Sequence, residues 1–284
     1  MKKLFDKNQY IQLDEATHTY RNMIGKKYQS ITTRLNEFKE FDEEKIAKLT
    51  ARGQLGKSAS DAHVEILCKS IKEEWKVTRE NASKYGTGMH KFLEIGNCEE
   101  IEFMNKINPN VTYERLQNLA IGISNFLNEY AEQYNEEILW DDETGKAGCV
   151  DKTCLRTIRS NVIDIFDYKT NITKGIYFDS IKRDNGKWKK HYNRYYKEPF
   201  ENVEQSNYFD YCGQLSTYGR MAEKLGYRVG RLAIIYIDLE LNFVVIPVPY
   251  MRHEADVILG ARIEVNLNKN LTNVSVQNSE EEDW

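Results

Sequence analysis

Proline is scarce in this chain, with four among 284 residues. So few breakers, with 40% hydrophobic residues, argue against a mostly disordered protein and suit one large domain or a core with an extension. No apolar stretch approaches the ~20 residues that a membrane helix requires, so no membrane association is expected. The opening residues, Met1-Lys2-Lys3-Leu4-Phe5-Asp6-Lys7, carry charge but no apolar run, so no secretory signal is expected either. The five cysteines, Cys68, Cys98, Cys149, Cys154 and Cys212, are dispersed and odd in number. They read as reduced thiols of a cytoplasmic protein rather than a disulfide framework. An excess of positive charge is also missing. The formal net charge of −4 excludes a uniformly basic nucleic-acid binder, though not a local basic patch.

What is present is patterned. Residues 9–22 alternate like a hairpin, and Ser30 caps an amphipathic helix through Phe38. Residues 42–78 are charged and helical in period, with Gly53 and Gly56 as expected breaks. Helices are expected from Asn81 to Ile95, Thr112 to Tyr134 and Val203 to Leu225, and over 250–266. Strands are expected near 136–141, 147–156, 161–168, 229–238 and 242–248. That order predicts an α/β sheet flanked by helices. It divides the chain into a hairpin and helical N-terminal extension (1–80), a core (81–268) interrupted by an insertion (171–203), and a polar tail (269–284). The tail ends Glu280-Glu281-Glu282-Asp283-Trp284 and is expected to be disordered.

The chemistry concentrates at Val162-Ile163-Asp164-Ile165-Phe166-Asp167-Tyr168-Lys169. Strand side chains alternate, so Asp167 and Lys169 share one face and Tyr168 takes the other. A carboxylate beside an ammonium is a costly way to build a core. It is an effective way to hold a divalent cation and a water beside it. Asp151 lies one strand upstream in Gly148-Cys149-Val150-Asp151; if the strands pair, two carboxylates meet, and a cation relieves their repulsion. His90 and Glu94 are four apart on one helix, as are Gln214 and Tyr218. The stretch from Lys182 to Lys197 holds seven Lys/Arg, one acid and four aromatics. Its Lys187, Trp188, Lys189, Lys190, Tyr192 and Arg194 combine phosphate-neutralising cations with rings able to stack on bases. A solvated loop, with its rings packed on the body, is the plain alternative.

In chain order, Gly86-Thr87-Gly88-Met89-His90-Lys91-Phe92-Leu93-Glu94, Gly148-Cys149-Val150-Asp151, Asp167-Tyr168-Lys169 and Gln214-Leu215-Ser216-Thr217-Tyr218 resemble the motifs of the PD-(D/E)XK nuclease superfamily, in its phage and RecB-type exonuclease branch. The resemblance covers residues 81 to 240 and implies a central mixed β-sheet flanked by helices. It implies catalytic roles for Asp151, Asp167, Lys169, His90 and Glu94. Mg²⁺ or Mn²⁺ would be held by Asp151, Asp167, the Tyr168 carbonyl and His90. Gln214 and Tyr218 would touch DNA or support the catalytic face, and Gly86-Thr87-Gly88 would let the helix approach the sheet. Some relatives carry an iron–sulfur cluster on late cysteines; none follows Cys212 here, so no cluster is expected. The expected partner is DNA, with a recombination or single-strand-binding protein as a candidate for the acidic tail. The expected activity is metal-dependent exonucleolytic hydrolysis in phage recombination, replication or repair. A structure-specific or restriction-like endonuclease, and a catalytically silent DNA-binding protein, remain alternatives.

Overall fold

The structure, a computed structural model, describes residues 4–5, 10–14, 17, 19–56, 58–170, 175–176 and 195–260, and the backbone alone of 181–184 and 187–190. Three short strands come first: β1 (Ile11–Asp14), β2 (Thr19–Asn22) and β3 (Lys27–Ser30). Five helices follow: α1 (Ile31–Glu37), α2 (Glu43–Leu55), α3 (Asp61–Ile95), α4 (Ile101–Ile107) and α5 (Tyr113–Leu127). Next are β4 (Glu132–Asp141), β5 (Lys146–Leu155) and β6 (Val162–Lys169). A separate antiparallel pair, β7 (Ile181–Asp184) and β8 (Lys187–Lys190), lies within the expected insertion. The described chain ends with α6 (Asn207–Lys224), β9 (Arg228–Ile237), β10 (Phe243–Val248) and α7 (Arg252–Leu259). Side-chain oxygens start the main helices. Ser30, Ser60, Thr112 and Ser206 each accept an N–H three residues on, satisfying one of the donors that a helix start leaves unpaired.

The main sheet has eight strands and is mixed, as the α/β reading requires. β5 is its hub. One edge pairs antiparallel with β4 along its length. The other edge is divided: β3 runs parallel to its start at Lys146 and Ala147, while β6 runs antiparallel to its end at Lys152 to Cys154. Residues 148–151 have no strand partner on this edge among the described residues. Beyond β6, β9 pairs parallel and β10 closes antiparallel.

Helices cover both faces, and the alternation of β6 decides which residue meets which layer. Ile163 and Ile165 pack with Leu35 of α1, Leu215 and Met221 of α6, and Ile258 of α7. Phe166 and Tyr168 pack on the other side with Met89 and Phe92 of α3 and Leu119 and Ile123 of α5. The first part of α3 leaves this core and packs on α2 through Val64, Cys68 and Ile71 against Ala47 and Ala51.

Several boundaries differ from expectation. Gly53 lies inside α2, because one glycine costs a helix only ~1 kcal/mol against alanine. Gly56 ends that helix at φ +85°, a conformation few other residues accept. α3 runs unbroken through residue 80, and β3 joins β5, so the expected extension is continuous with the core. β3 and α4 are additions. The helix expected to reach Tyr134 ends at Leu127, since Glu132 already pairs with Leu155. The tail, including Trp284, lies outside the described residues. None of the described helices is long and apolar enough to cross a membrane.

Candidate metal centre

The divided edge of β5 produces the site. Extending the β5–β6 register by one step past Lys152↔Phe166 sets Asp151 opposite Asp167. The ladder has opened there, and the Asp151 carboxylate takes its place by accepting the Tyr168 N–H at 2.7 Å. Asp151 therefore lies within β5, which continues to Leu155. Asp167 and Lys169 do share a face. They form an ion pair, with the ammonium 5.1 Å from the centre of the Tyr211 ring of α6. Tyr168 points to the opposite layer.

His90 comes from the far side of the sheet. Its Nε2 lies 3.0 Å from the Tyr168 carbonyl oxygen and its Nδ1 3.5 Å from Asp151 Oδ1. Two groups expected to bind a cation, the His90 ring and the Tyr168 carbonyl, thus contact each other directly. Glu94, one turn on, is half-buried and contributes to the field at Glu136 and Lys152, outside the group of converging donors.

Glu136 is the residue that sequence reasoning missed. β4–β5 pairing passes from Asn135↔Lys152 to Glu137↔Val150, leaving Glu136 opposite Asp151. Its φ of 50°, unusual for a non-glycine residue, marks an irregularity in the strand there. Three carboxylates, Glu136, Asp151 and Asp167, therefore lie at facing positions on three neighbouring strands. Donor atoms of His90, Glu136 and Asp151 all lie within 4.8 Å of one another. No sequence pattern flags Glu136, because its relation to Asp151 exists only through register.

The electrostatics suit a cation. Burial, then the Asp151 charge, pushes the Glu136 carboxyl up to about 7, even though the Cys149 thiol donates to it at 3.0 Å. Burial also raises Asp167, with Asp151 adding to the effect and Lys169 opposing it. Asp151 is held below the ordinary carboxylate range against its burial, chiefly by His90, whose own ionisation Asp151 favours against desolvation. Lys169 is raised against desolvation by Asp167 and Asp151. One imidazole and two mutually repelling carboxylates form a donor set that fits a divalent metal ion.

The other expected contacts are placed differently from one another. Gln214 Nε2 donates to the Tyr218 hydroxyl at 2.9 Å. Tyr218 is 2% exposed and lies over Gly148, where a Cβ would come within 2.3 Å of its ring. It supports β5 from beneath and presents no surface to DNA. Gly88 likewise differs from its expected role. Its missing Cβ admits Glu100 and Met104 of the α4 region, not the sheet. Lys187, Trp188, Lys189 and Lys190 lie on β8, while Tyr192 and Arg194 lie outside the described residues. All five cysteines are free.

No family model matches this chain, and no curated protein matches it. Among solved structures, it is similar to the crystal structure of a "Putative exonuclease" from Eubacterium rectale. That similarity has 14% identity and a TM-score of 0.42, over 92% of this chain and 84% of the other. The functional reading rests on the site itself.

Proposed function

We propose that this chain is a divalent-metal-dependent deoxyribonuclease, acting as an exonuclease on DNA. The observation that carries this reading is the convergence of Glu136, Asp151, Asp167, Lys169 and His90 at the opening between β5 and β6. Asp151, His90 and Glu136 would hold the ion, with Asp167 and the Tyr168 carbonyl adjoining. Carboxylate oxygens with one imidazole suit Mg²⁺ or Mn²⁺ better than a thiolate-rich site would. Such an ion supplies Lewis acidity toward a phosphate oxygen and eases deprotonation of water.

The protein's own groups have separable tasks. Lys169, oriented by Asp167 and steadied over Tyr211, places a cation where charge grows on the phosphoryl oxygens during attack. Asp151 fixes the strand opening through the Tyr168 N–H while keeping one oxygen toward His90. Water adds to phosphorus, the bond to the 3′ oxygen breaks, and that oxygen takes a proton. The products are a 5′-phosphate and a 3′-hydroxyl.

The test uses end-labelled linear DNA and closed circular DNA with Mg²⁺, Mn²⁺ or EDTA. Metal-dependent shortening of the linear substrate with an intact circle is expected. Asp151→Asn and Asp167→Asn should each abolish it while leaving thermal unfolding cooperative. A cut circle would make the protein an endonuclease. Absence of cleavage with either metal would overturn the enzyme reading.

A further inference from the structure

α3 carries more than His90. It has 35 residues, so at 1.5 Å per residue it is roughly 50 Å long. Only its last turns touch the sheet layer; its first half packs on α2. At about 100° per residue, Lys69, Lys72, Lys76 and Arg79 all fall within about 60° of His90 on the helix circumference, with Ser83 between. The side of α3 that reaches the candidate centre therefore continues outward as a basic stripe. Gly86, on the same side, lies 3.6 Å from Thr170 at the end of β6, measured from the Cβ position it lacks. This side of the helix thus passes the end of the strand at Gly86, and the first cation of the stripe, Arg79, lies about 10 Å farther out along the axis.

Its charges are accessible. Lys69, Lys76 and Arg79 are exposed and Lys72 is partly so. Between Lys69 and Arg79 no acid of α3 lies on this side, since Glu73 and Glu74 fall more than about 60° from His90; Asp61 and Glu65 lie beyond the outer end of the stripe, and Glu94 lies beyond His90. The acids that face the stripe come from α2. Glu44 pairs with Lys72 and Lys48, and Glu43 with Arg79 at 2.8 Å. Such solvent-exposed pairs contribute only ~0–1 kcal/mol, so phosphates can replace the acids at little cost. Lys69 to Arg79 spans about 15 Å along the helix, long enough to meet more than one phosphate of a strand laid along it.

We infer that this face of α3 is a docking track for one strand of the DNA substrate, leading its phosphates to His90. The inference rests on the nuclease reading. A single strand is favoured over a duplex because the stripe is one helix side wide.

The experiment measures binding of a fluorescent 30-nucleotide single strand in EDTA across a salt series, for the wild type and for Lys69→Gln/Lys76→Gln. Both lysines are exposed, so folding should be unaffected, which the thermal midpoint checks. Loss of two contacts should lower the slope of log K against log salt by about 1.4. Cleavage of a dinucleotide, too short to span the roughly 21 Å along the helix from His90 to Lys76, should keep its wild-type rate. A wild type that binds and cuts DNA, with an unchanged slope in the variant, would overturn the track alone. A wild type that neither binds nor cuts would remove the nuclease reading and the track with it.

Discussion

Glu136 and Gly148 show how much single positions decide here. Glu136 is raised to about 7 by burial and by Asp151, so without a cation it carries a proton through the acidic range. A bound ion must displace that proton, so affinity for Mn²⁺ should rise with pH up to about 7. Glu136→Gln should weaken Mn²⁺ binding by tenfold or more and flatten its pH dependence, as calorimetric titration would show. Unchanged affinity would leave Glu136 outside the ligand set. Lys169→Ala should instead spare metal affinity and lower kcat by orders of magnitude, because its proposed role lies in the transition state. Gly148→Ala drives a methyl into the Tyr218 ring. Overpacking of this kind costs ~1–3 kcal/mol, which denaturant titration would reveal. An unshifted midpoint would mean that the ring yields freely.

Elements were legible in the sequence where the signal was local. Period-two alternation placed Asp167 and Lys169 together and Tyr168 opposite; a serine before an apolar period placed the start of α1. Glu136 was not legible, because it meets Asp151 through β4–β5 register and a left-handed φ, neither of which has a sequence pattern. β3 escaped notice for a similar reason: four mostly polar residues become a strand only by pairing with β5. Gly88 was recognised as a close approach, but the partner, α4, depended on tertiary packing. Gly88→Ala therefore sets two effects against each other. Helix propensity gains ~1 kcal/mol, while the new Cβ lies 2.8 Å from Glu100 Cβ. The contact should win, and the variant should unfold earlier. Between α6 and β4, Lys224 donates to the buried Asp141 at 2.6 Å. Burial opposes ionisation of Asp141, yet Lys224 and the Thr144 hydroxyl hold its carboxyl below the usual range. Its stabilising effect is complete above the unfolded pKa of ~3.9 and fades as pH falls through the lower folded value. Lys224→Met should thus destabilise the protein at pH 7 and progressively less below pH 4, by thermal unfolding across that range.

For the whole molecule, the candidate centre ties β4, β5, β6 and α3 together, so an ion bound there should stabilise all of them at once. By mass action, Mn²⁺ at a hundred times its dissociation constant adds ~2.7 kcal/mol and raises Tm. Asp151→Asn should abolish that rise, and a metal-independent Tm in the wild type would count against the site. The length of α3 has a mechanical side as well. If the close Gly88–Met104 contact acts as a fulcrum, His90 lies about 3 Å from it along the axis and Lys69 about 29 Å away on the other side. The helix is then a lever with a ratio of roughly ten to one. A swing of about 3 Å at Lys69 would displace His90 by only about 0.3 Å, so the outer arm can follow a flexible polymer while the imidazole stays in register with the sheet.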